Sequence, residues 1–345
     1  MISTITIEEQ DKWDNIVKSF KNYDVNYLSQ YAKAFAENGE GYPVLIYFEN
    51  DTSKAMNVVM KRDISLSENF KGKLPPNEWF DLSTPYGYGG FWIEGEDFNT
   101  LDEEYEQYCK NNGFISEFVR FHLFGEYRDI FNGTVESHTN NVVRSLDLDI
   151  DDMLMDFEHK VRKNLKKANK AGLKIEIDES GKRIEEFLNI YYGTMDRNEA
   201  KSNFFFPESF FKTINKMINN FVYVHVIHED RVISTELVIF GGENCYSFLG
   251  GTHSDFFSLR PNDFLKFEII KWAKDKGLKR FILGGGYGQD DGIFRYKKSF
   301  SPNGIHKFYV GKRIFDEEKY SELIKIRSCN QDFNKDTNFF PKYRA

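Results

Sequence analysis

The chain carries two glycine pairs, Gly89-Gly90 and Gly250-Gly251, and each closes the third of three predicted strands. Before the first pair, "YPVLIYFENDTSKAMNVVM" reads as strand, polar turn, strand, with Asn50-Asp51 opening the turn. Before the second, "FVYVHVIHEDRVISTELVIF" repeats the pattern around a tight turn at Glu229-Asp230. A helix that stops on a glycine and feeds another strand follows each pair. The first is "LDEEYEQYCKNNGFISEFVRF", stopping at Gly113. The second is "NDFLKFEIIKWAKDKGLKRFIL", with Asn262 as the expected N-cap and Gly277 as the stop. The glycine pairs lie 161 positions apart and the helix stops 164 apart. Near-equal offsets at two landmarks predict two copies of one β-β-β-α-β unit. That limits the fold to α/β, with two tandem domains of mixed, mostly antiparallel sheets flanked by helices. The expected domains are 1–147 and 148–345, with the last strands crossing between them. A chain of 345 residues is long enough for each to bury its own core.

Between the copies, Leu154, Phe157, Val161, Leu165 and Ala168 recur at helical spacing and predict one amphipathic helix ending near Gly172. Its start is acidic (Asp151, Asp152, Asp156, Glu158) and its end basic (Lys160, Arg162, Lys163, Lys166, Lys167, Lys170). That polarity suits the helix dipole without any ligand. The basic run is also where tRNA or a nucleotide-linked acceptor would be met electrostatically. A net charge of −8 argues against wholesale coating of nucleic acid, and no DNA partner is expected. Cys109, Cys245 and Cys329 are far apart and odd in number, so no disulfide framework is expected and a cytoplasmic setting fits. The N-terminus has no basic-then-apolar leader, and no apolar run is long enough to span a bilayer. Peripheral membrane contact is the form of membrane association compatible with such a chain. The histidines are scattered and no Cys or His cluster has ligand spacing, so no metal is expected. No Ser or Cys lies in a nucleophile elbow.

"KVRKNLKKANKAG", "YYGTMDRN", "VISTELVIF" and "FRYKKSF" occur in an order that resembles the FemABX-like branch of the GNAT acyltransferase superfamily. The resemblance runs from about residue 25 to about residue 320. Members of that branch carry two GNAT-like domains. The resemblance implies transfer of an acyl or aminoacyl group from an activated donor to an amine of a cell-envelope, sugar or peptide acceptor, peptidoglycan precursors included. The donor would be a co-substrate, aminoacyl-tRNA first and acyl-CoA second, with no permanently bound cofactor. Expected partners are therefore a small-molecule or precursor acceptor, with tRNA as a second candidate. Two rivals stand beside this reading. One is a conventional acyl-CoA-dependent GNAT N-acetyltransferase, and the other a non-catalytic binding protein on the same scaffold. Oligomeric state is left open.

Acyl transfer to an amine asks for a proton acceptor, hydrogen-bond donors for the oxyanion and a grip on the donor's carrier. Glu236 is an acid within the apolar strand "ISTELVIF". Apolar surroundings would raise its proton affinity and suit it as a base for an ammonium substrate. A structural carboxylate paired with a cation from a neighbouring strand or helix fits the same residue. Lys297, with Tyr296 and Phe300, matches the branch's "FKxxF" pattern with Tyr at the first position. The resemblance makes Lys297 a functional cation for an oxyanion or a phosphate, with Arg295 and Lys298 competing for the inward direction. Without the resemblance, the run is a basic surface patch.

"LGGGYGQDDGIF" (283–294) follows a predicted strand but is neither a Walker loop nor GxGxxG. Either its amides approach an anion or carbonyl, with Tyr287 contributing, or it is a tight connection with Asp290 and Asp291 as turn residues. "THSDFFSLRPNDF" lacks the glycine-rich loop with which acetyl-CoA-dependent GNAT proteins cradle a pyrophosphate. Arg260 is the phosphate-pairing candidate there, or a packing residue of the loop. In the first copy, "STPYGYGGFW" and "VRFHLF" supply Tyr86, Tyr88, Arg120 and His122 as expected walls of an acceptor groove. A plain structural role for this glycine strand is the alternative. The chemistry is expected in the second copy.

Overall fold

The computed structural model describes residues 1–288, 290–334 and 336–345. The chain divides into two compact units: Met1–His138 together with Phe308–Ala345, and Thr139–Lys307. The first begins with β1 (Ile2–Thr6), α1 (Gln10–Lys18), α2 (Ser29–Glu37), β2 (Tyr42–Glu49) and β3 (Ser53–Asp63). It continues with β4 (Phe80–Ser83), β5 (Trp92–Gly95), α3 (Leu101–Asn111) and β6 (Phe114–Arg120). The chain then passes along β7 (Thr134–Ser145) into the second unit. That unit adds α4 (Ile150–Asp156), α5 (His159–Lys170), β8 (Lys174–Asp178), α6 (Ile184–Arg197) and α7 (Glu208–Ile214). After these come β9 (Phe221–His228), β10 (Arg231–Gly241), β11 (Asn244–Thr252), α8 (Pro261–Asp275), β12 (Arg280–Gly284) and α9 (Gly292–Lys298). β13 (Ile305–Ile314) returns the chain to the first unit, which α10 (Glu317–Arg327) follows.

Within the first unit the strands lie in the order β1-β2-β3-β4-β6-β13, with β5 also on β3. Within the second the order is β7-β12-β11-β10-β9-β8. β4 and β6 are parallel, as are β11 and β12; the other pairs are antiparallel. Each unit contains the hairpin, strand, helix and following strand read from the sequence, but in the first unit β4 stops at Ser83, so Gly89-Gly90 lie beyond it and β5 intervenes before α3. Glu229 (φ 47°) and Asp230 (φ 61°) make the left-handed two-residue turn that matches the twist of a hairpin. Asn50 Oδ1 accepts from the amides of Thr52 and Ser53 at 3.0 and 2.7 Å, fixing the other hairpin. Gly113 (φ 73°) and Gly277 (φ 79°) end α3 and α8 in the left-handed conformation.

Three expectations are corrected. The amphipathic helix is two helices, because Phe157 and Glu158 are extended and Arg162 Nη1 caps the carbonyls of Met155 and Phe157 where α4 stops. α8 begins one residue before Asn262: Arg260 is its N-cap and Pro261 its first residue, where a missing N–H costs nothing. Residues after Lys307 pack with the first unit, not the second, because Tyr320, Leu323 and Tyr343 bury against Ile64, Phe70 and Ile115. In the second unit, Leu265, Ile269, Ile270 and Ala273 of α8 pack on Val224, Val238, Cys245 and Phe281 of the sheet. Each fully buried aliphatic or Phe side chain stabilises by about 1.5–3 kcal/mol. Among the described residues, no helix is long and apolar enough to cross a membrane.

Candidate functional site

β11 pairs with β10 from Asn244 to Thr252, but with β12 only over Asn244–Tyr246. Beyond Tyr246 and Ile282 the two parallel strands part. Backbone groups at such a fork lack a ladder partner and are available to a ligand, and the fork lies at the carboxyl ends of the strands. A bulge sharpens the divergence: Leu237 faces Leu249 and Val238 faces Ser247, so Phe248 is the extra residue. The glycine pair allows close packing here. A Cβ on Gly250 would run into the Thr235 carbonyl and lie 3.0 Å from Glu236 Cα; one on Gly251 would lie 2.8 Å from the Ile190 carbonyl of α6.

A buried polar cluster adjoins the fork. Lys266 Nζ, on α8, forms an ion pair with Glu236 Oε2 on β10, both side chains being less than a tenth exposed. Lys266 also donates to Ser247 Oγ of β11 at 2.6 Å. Glu236 Oε1 is buried and, among the described residues, has no hydrogen-bond partner, and neither does the Tyr296 hydroxyl. Burial pushes the Tyr296 phenol well up, with Asp263 and Glu236 adding to the effect. Asp263, whose proton affinity is raised by burial, accepts from Asn164 Nδ2 of α5 at 3.1 Å.

Lys297 lies on α9 and donates to the Gly285 carbonyl at 2.6 Å. Burial, reinforced by the like charge of Lys266, brings its ammonium down to about 8; Glu236 and Asp291 pull the other way. The two residues singled out for catalysis therefore belong to one electrostatic neighbourhood. Lys266 supplies the cation that the structural reading of Glu236 asks for.

The glycine loop is folded around its own anion. Asp291 caps α9 through the Phe294 amide at 2.7 Å and also accepts from the amides of Tyr287 and Gly288 at 2.6 and 3.0 Å. Those amides hold its carboxyl below the usual range. Gln289 of this loop lies outside the described residues. Tyr287 is 70% exposed, with its ring edge against Phe204. Arg260 occupies the left-handed turn before α8, at φ 63°. Arg295 Nη1 is used on the Asp290 carbonyl at 2.6 Å.

In the first unit the equivalent fork is bridged. The Gly89 amide donates to the Arg120 carbonyl at 2.7 Å, and the His122 amide donates to the Gly89 carbonyl at 2.8 Å. Arg120 Nη1 is engaged by Ser83 Oγ at 3.2 Å and the Thr84 carbonyl at 2.9 Å. His122 Nδ1 accepts from the Phe124 amide at 3.2 Å, which places its proton on Nε2, 3.1 Å from Asp24 Oδ2. Tyr88 meets the His122 and Phe308 rings edge-on, and Tyr86 lies 42% exposed near Phe35. The four expected groove residues do cluster, with Arg120 and His122 committed to contacts inside the unit.

Lys266, Ser247, Asp263 and Asn164 were not anticipated. Lys266 carried a signal: it is three and four positions before Ile269 and Ile270, on the buried face of an apolar helix.

A family model described as "Acetyltransferase (GNAT) domain" matches residues 155–298, which contain this site. FemX is similar in structure, with 15% identity and a TM-score of 0.64 over 93% of this chain and 99% of that one. The C-terminal domain (DUF2156) of a putative lysylphosphatidylglycerol synthetase from Agrobacterium fabrum gives 11% identity and 0.57 over 94% and 97%. L-PGS from Bacillus licheniformis gives 10% and 0.56 over 92% and 96%. Comparison with curated proteins finds no match. The matched domain covers fewer than half of the residues, and the similar structures show a GNAT-type fold. That fold extends over nearly the whole length of FemX.

Proposed function

We propose that this chain transfers an acyl or aminoacyl group from an activated donor to an amine of a cell-envelope, sugar or peptide acceptor. The reaction would occur in the fork between β11 and β12. The observation that carries this reading is the coincidence, in one place, of a sheet edge left open and a buried Glu236–Lys266–Lys297 charge cluster. The acceptor nitrogen attacks the acyl carbonyl directly. A C–N bond forms, the bond from the acyl carbon to the carrier's oxygen or sulfur breaks, and the amine's proton leaves with the carrier. Lys297 supplies a hydrogen bond to the oxyanion. Glu236 Oε1 accepts from the acceptor's amine and orients it.

Aminoacyl-tRNA is preferred over acyl-CoA as donor because the turn before α8, where a pyrophosphate cradle needs free amides, is occupied by Arg260 and Pro261. FemX and L-PGS are the similar structures that favour a cell-envelope acceptor. The test is a donor panel of aminoacyl-tRNAs and acyl-CoAs, with donor consumption followed by mass spectrometry. Lys297→Ala is expected to lower kcat by roughly 100-fold while leaving donor binding in place. Turnover with acyl-CoA alone would transfer the site to a conventional N-acetyltransferase. Tight ligand binding without donor consumption would make the protein a binding module.

A further inference from the structure

The first unit contains a cavity of about 1000 Å³, the size of an organic ligand, where the pairing of β2 with β3 ends. β2 begins at Tyr42, opposite Lys61, while β3 runs on to Asp63, so Arg62 and Asp63 have no neighbour from β2. The chain entering β2 packs closely on the Arg62 stem: a Cβ on Gly41 would lie 2.8 Å from Arg62 Cγ and from the Lys61 carbonyl. Tyr42, Lys61, Arg62, Leu66, Phe80 and Arg344 line the cavity. Three of these are cations with donors to spare. Arg62 and Arg344 each place Nε on the Asp81 carboxylate, one on Oδ1 and the other on Oδ2. Asp81 is wholly buried and also accepts from the Tyr343 hydroxyl at 3.0 Å, so it anchors both guanidinium groups by their inner nitrogen. Among the described residues, the terminal nitrogens of Arg62 and Arg344 have no hydrogen-bond partner. Lys61 Nζ lies 3.7 Å from the centre of the Phe80 ring and has neither a hydrogen bond nor an ion pair among those residues. The carboxylates of the wall are committed instead. Asp63 accepts from the Ser65 and Asn77 amides at 2.9 and 2.8 Å, and Glu8 accepts from the Tyr42 hydroxyl; Glu37 is exposed.

We propose that this cavity binds a small organic oxyanion, a phosphate ester or a carboxylate, held by the terminal nitrogens of Arg62 and Arg344 with Lys61 at its flank. A guanidinium presents its donors as a planar fork that matches two oxygens of such a group. Here two forks are fixed by one buried carboxylate, so little side-chain freedom remains to be lost on binding. Each cation comes with an unfilled donor, whereas Asp63 and Glu8 already have theirs, and the wall therefore lacks acceptors. An oxyanion supplies them; a cationic ligand would add to the mismatch. Tyr42 and Leu66, 41% and 74% exposed, give the organic body apolar surface to cover. The site does not rest on the acyl-transfer reading, because no residue of the Glu236–Lys266–Lys297 cluster takes part in it.

The test is isothermal titration calorimetry of the full chain at low ionic strength, with inorganic phosphate, phenyl phosphate and benzoate as probes. Phenyl phosphate or benzoate is expected to bind at millimolar concentration, and the tighter of the two names the oxyanion. Phenyl phosphate should bind several-fold more tightly than inorganic phosphate, through contact of its ring with Tyr42 and Leu66. Arg344→Lys keeps a charge for Asp81 but removes the fork, and should weaken phenyl phosphate binding by about tenfold. Lys61→Met should weaken it several-fold, and Lys61 has only its contacts with aromatic rings to lose. Leu66→Ser should weaken phenyl phosphate and leave inorganic phosphate unchanged. Lys71→Met removes an exposed lysine outside the cavity and should alter neither. If Arg344→Lys fails to fold, Lys61→Met and Leu66→Ser carry the test. Absence of binding by every probe, or affinities untouched by Lys61→Met and Arg344→Lys, would overturn the proposal. Inorganic phosphate binding as tightly as phenyl phosphate would overturn the part assigned to the organic body. Absence of turnover with every donor would instead remove the acyl-transfer reading and leave this site standing.

Discussion

Two buried glutamates show how the same side chain is managed differently at a site and in a core. Glu236 is met by a lysine. Glu117 of β6 receives the Tyr105 hydroxyl at 2.7 Å on Oε1, while Oε2 is buried without a hydrogen-bond partner among the described residues. Burial raises Glu117 to about 7, against the opposing pull of Arg313. Arg313 has its own partner in Asp102 at 2.6 Å. The sign of the pH effect follows from linkage. Between about 4.5, the ordinary value, and about 7, the folded state keeps a proton that the unfolded chain releases. Stability conferred by that bound proton is present below the unfolded value and is lost as pH rises through the folded one. At about 1.4 kcal/mol per unit, the loss amounts to roughly 3 kcal/mol. Urea denaturation at pH 5, 6 and 7 should show stability falling through this window, and Glu117→Gln should flatten that slope. Equal slopes in the two proteins would show that Glu117 is not the titrating group.

At the level of elements, the two forks differ in a way that exchange can measure. The Gly89 amide is bonded across its fork, whereas β11 leaves β12 after Tyr246. Amides of Leu249–Gly251 that face away from β10 should exchange roughly tenfold or more faster than the Gly89 amide, and a bound donor should slow them. Uniform protection along β11 would mean that the fork is closed. This also marks what was legible in the sequence. Hairpins, helix stops and the strand after each helix were readable because Asn50, Glu229-Asp230, Gly113 and Gly277 act through their own backbone angles and near neighbours. The departure of β11 from β12 was not, because it depends on pairing between segments about 35 residues apart and on a bulge that no residue type demands. The break at Phe157–Glu158 was hidden for a related reason: the apolar spacing runs through it, and the cap comes from Arg162, five and seven residues downstream of the carbonyls it holds. Glu236 stood out as an acid in an apolar strand, and Lys297 through the resemblance of "FRYKKSF" to the FKxxF pattern. Lys266 did not, although it is a charged residue on an apolar helix face.

Across the whole molecule, one β-β-β-α-β order has been put to two uses. The second unit keeps its fork open beside buried charges, while the first closes its fork with the "STPYGYGG" segment and spends Arg120 and His122 on internal contacts. The first unit is completed only by the end of the chain. Tyr343, two residues from the last, is fully buried, with its ring edge toward Phe70 and Tyr320. Its hydroxyl lies 2.8 Å from Ser116 Oγ and donates to Asp81 Oδ2 at 3.0 Å. Asp81, itself completely buried, is paired with Arg62 from β3 and Arg344 from the tail. The tail thus brings both an aromatic plug and part of the compensation for a buried carboxylate. Tyr343→Ala should lower stability by about 3–5 kcal/mol, as expected for an emptied aromatic site. Tyr343→Phe keeps the plug and removes one hydrogen bond to a charge, so about 1.5–3 kcal/mol is expected. Equilibrium denaturation of the two variants separates the contributions. If Tyr343→Ala cost no more than Tyr343→Phe, the tail would act through the Asp81 network alone, and the ring would be a passenger in the core it fills.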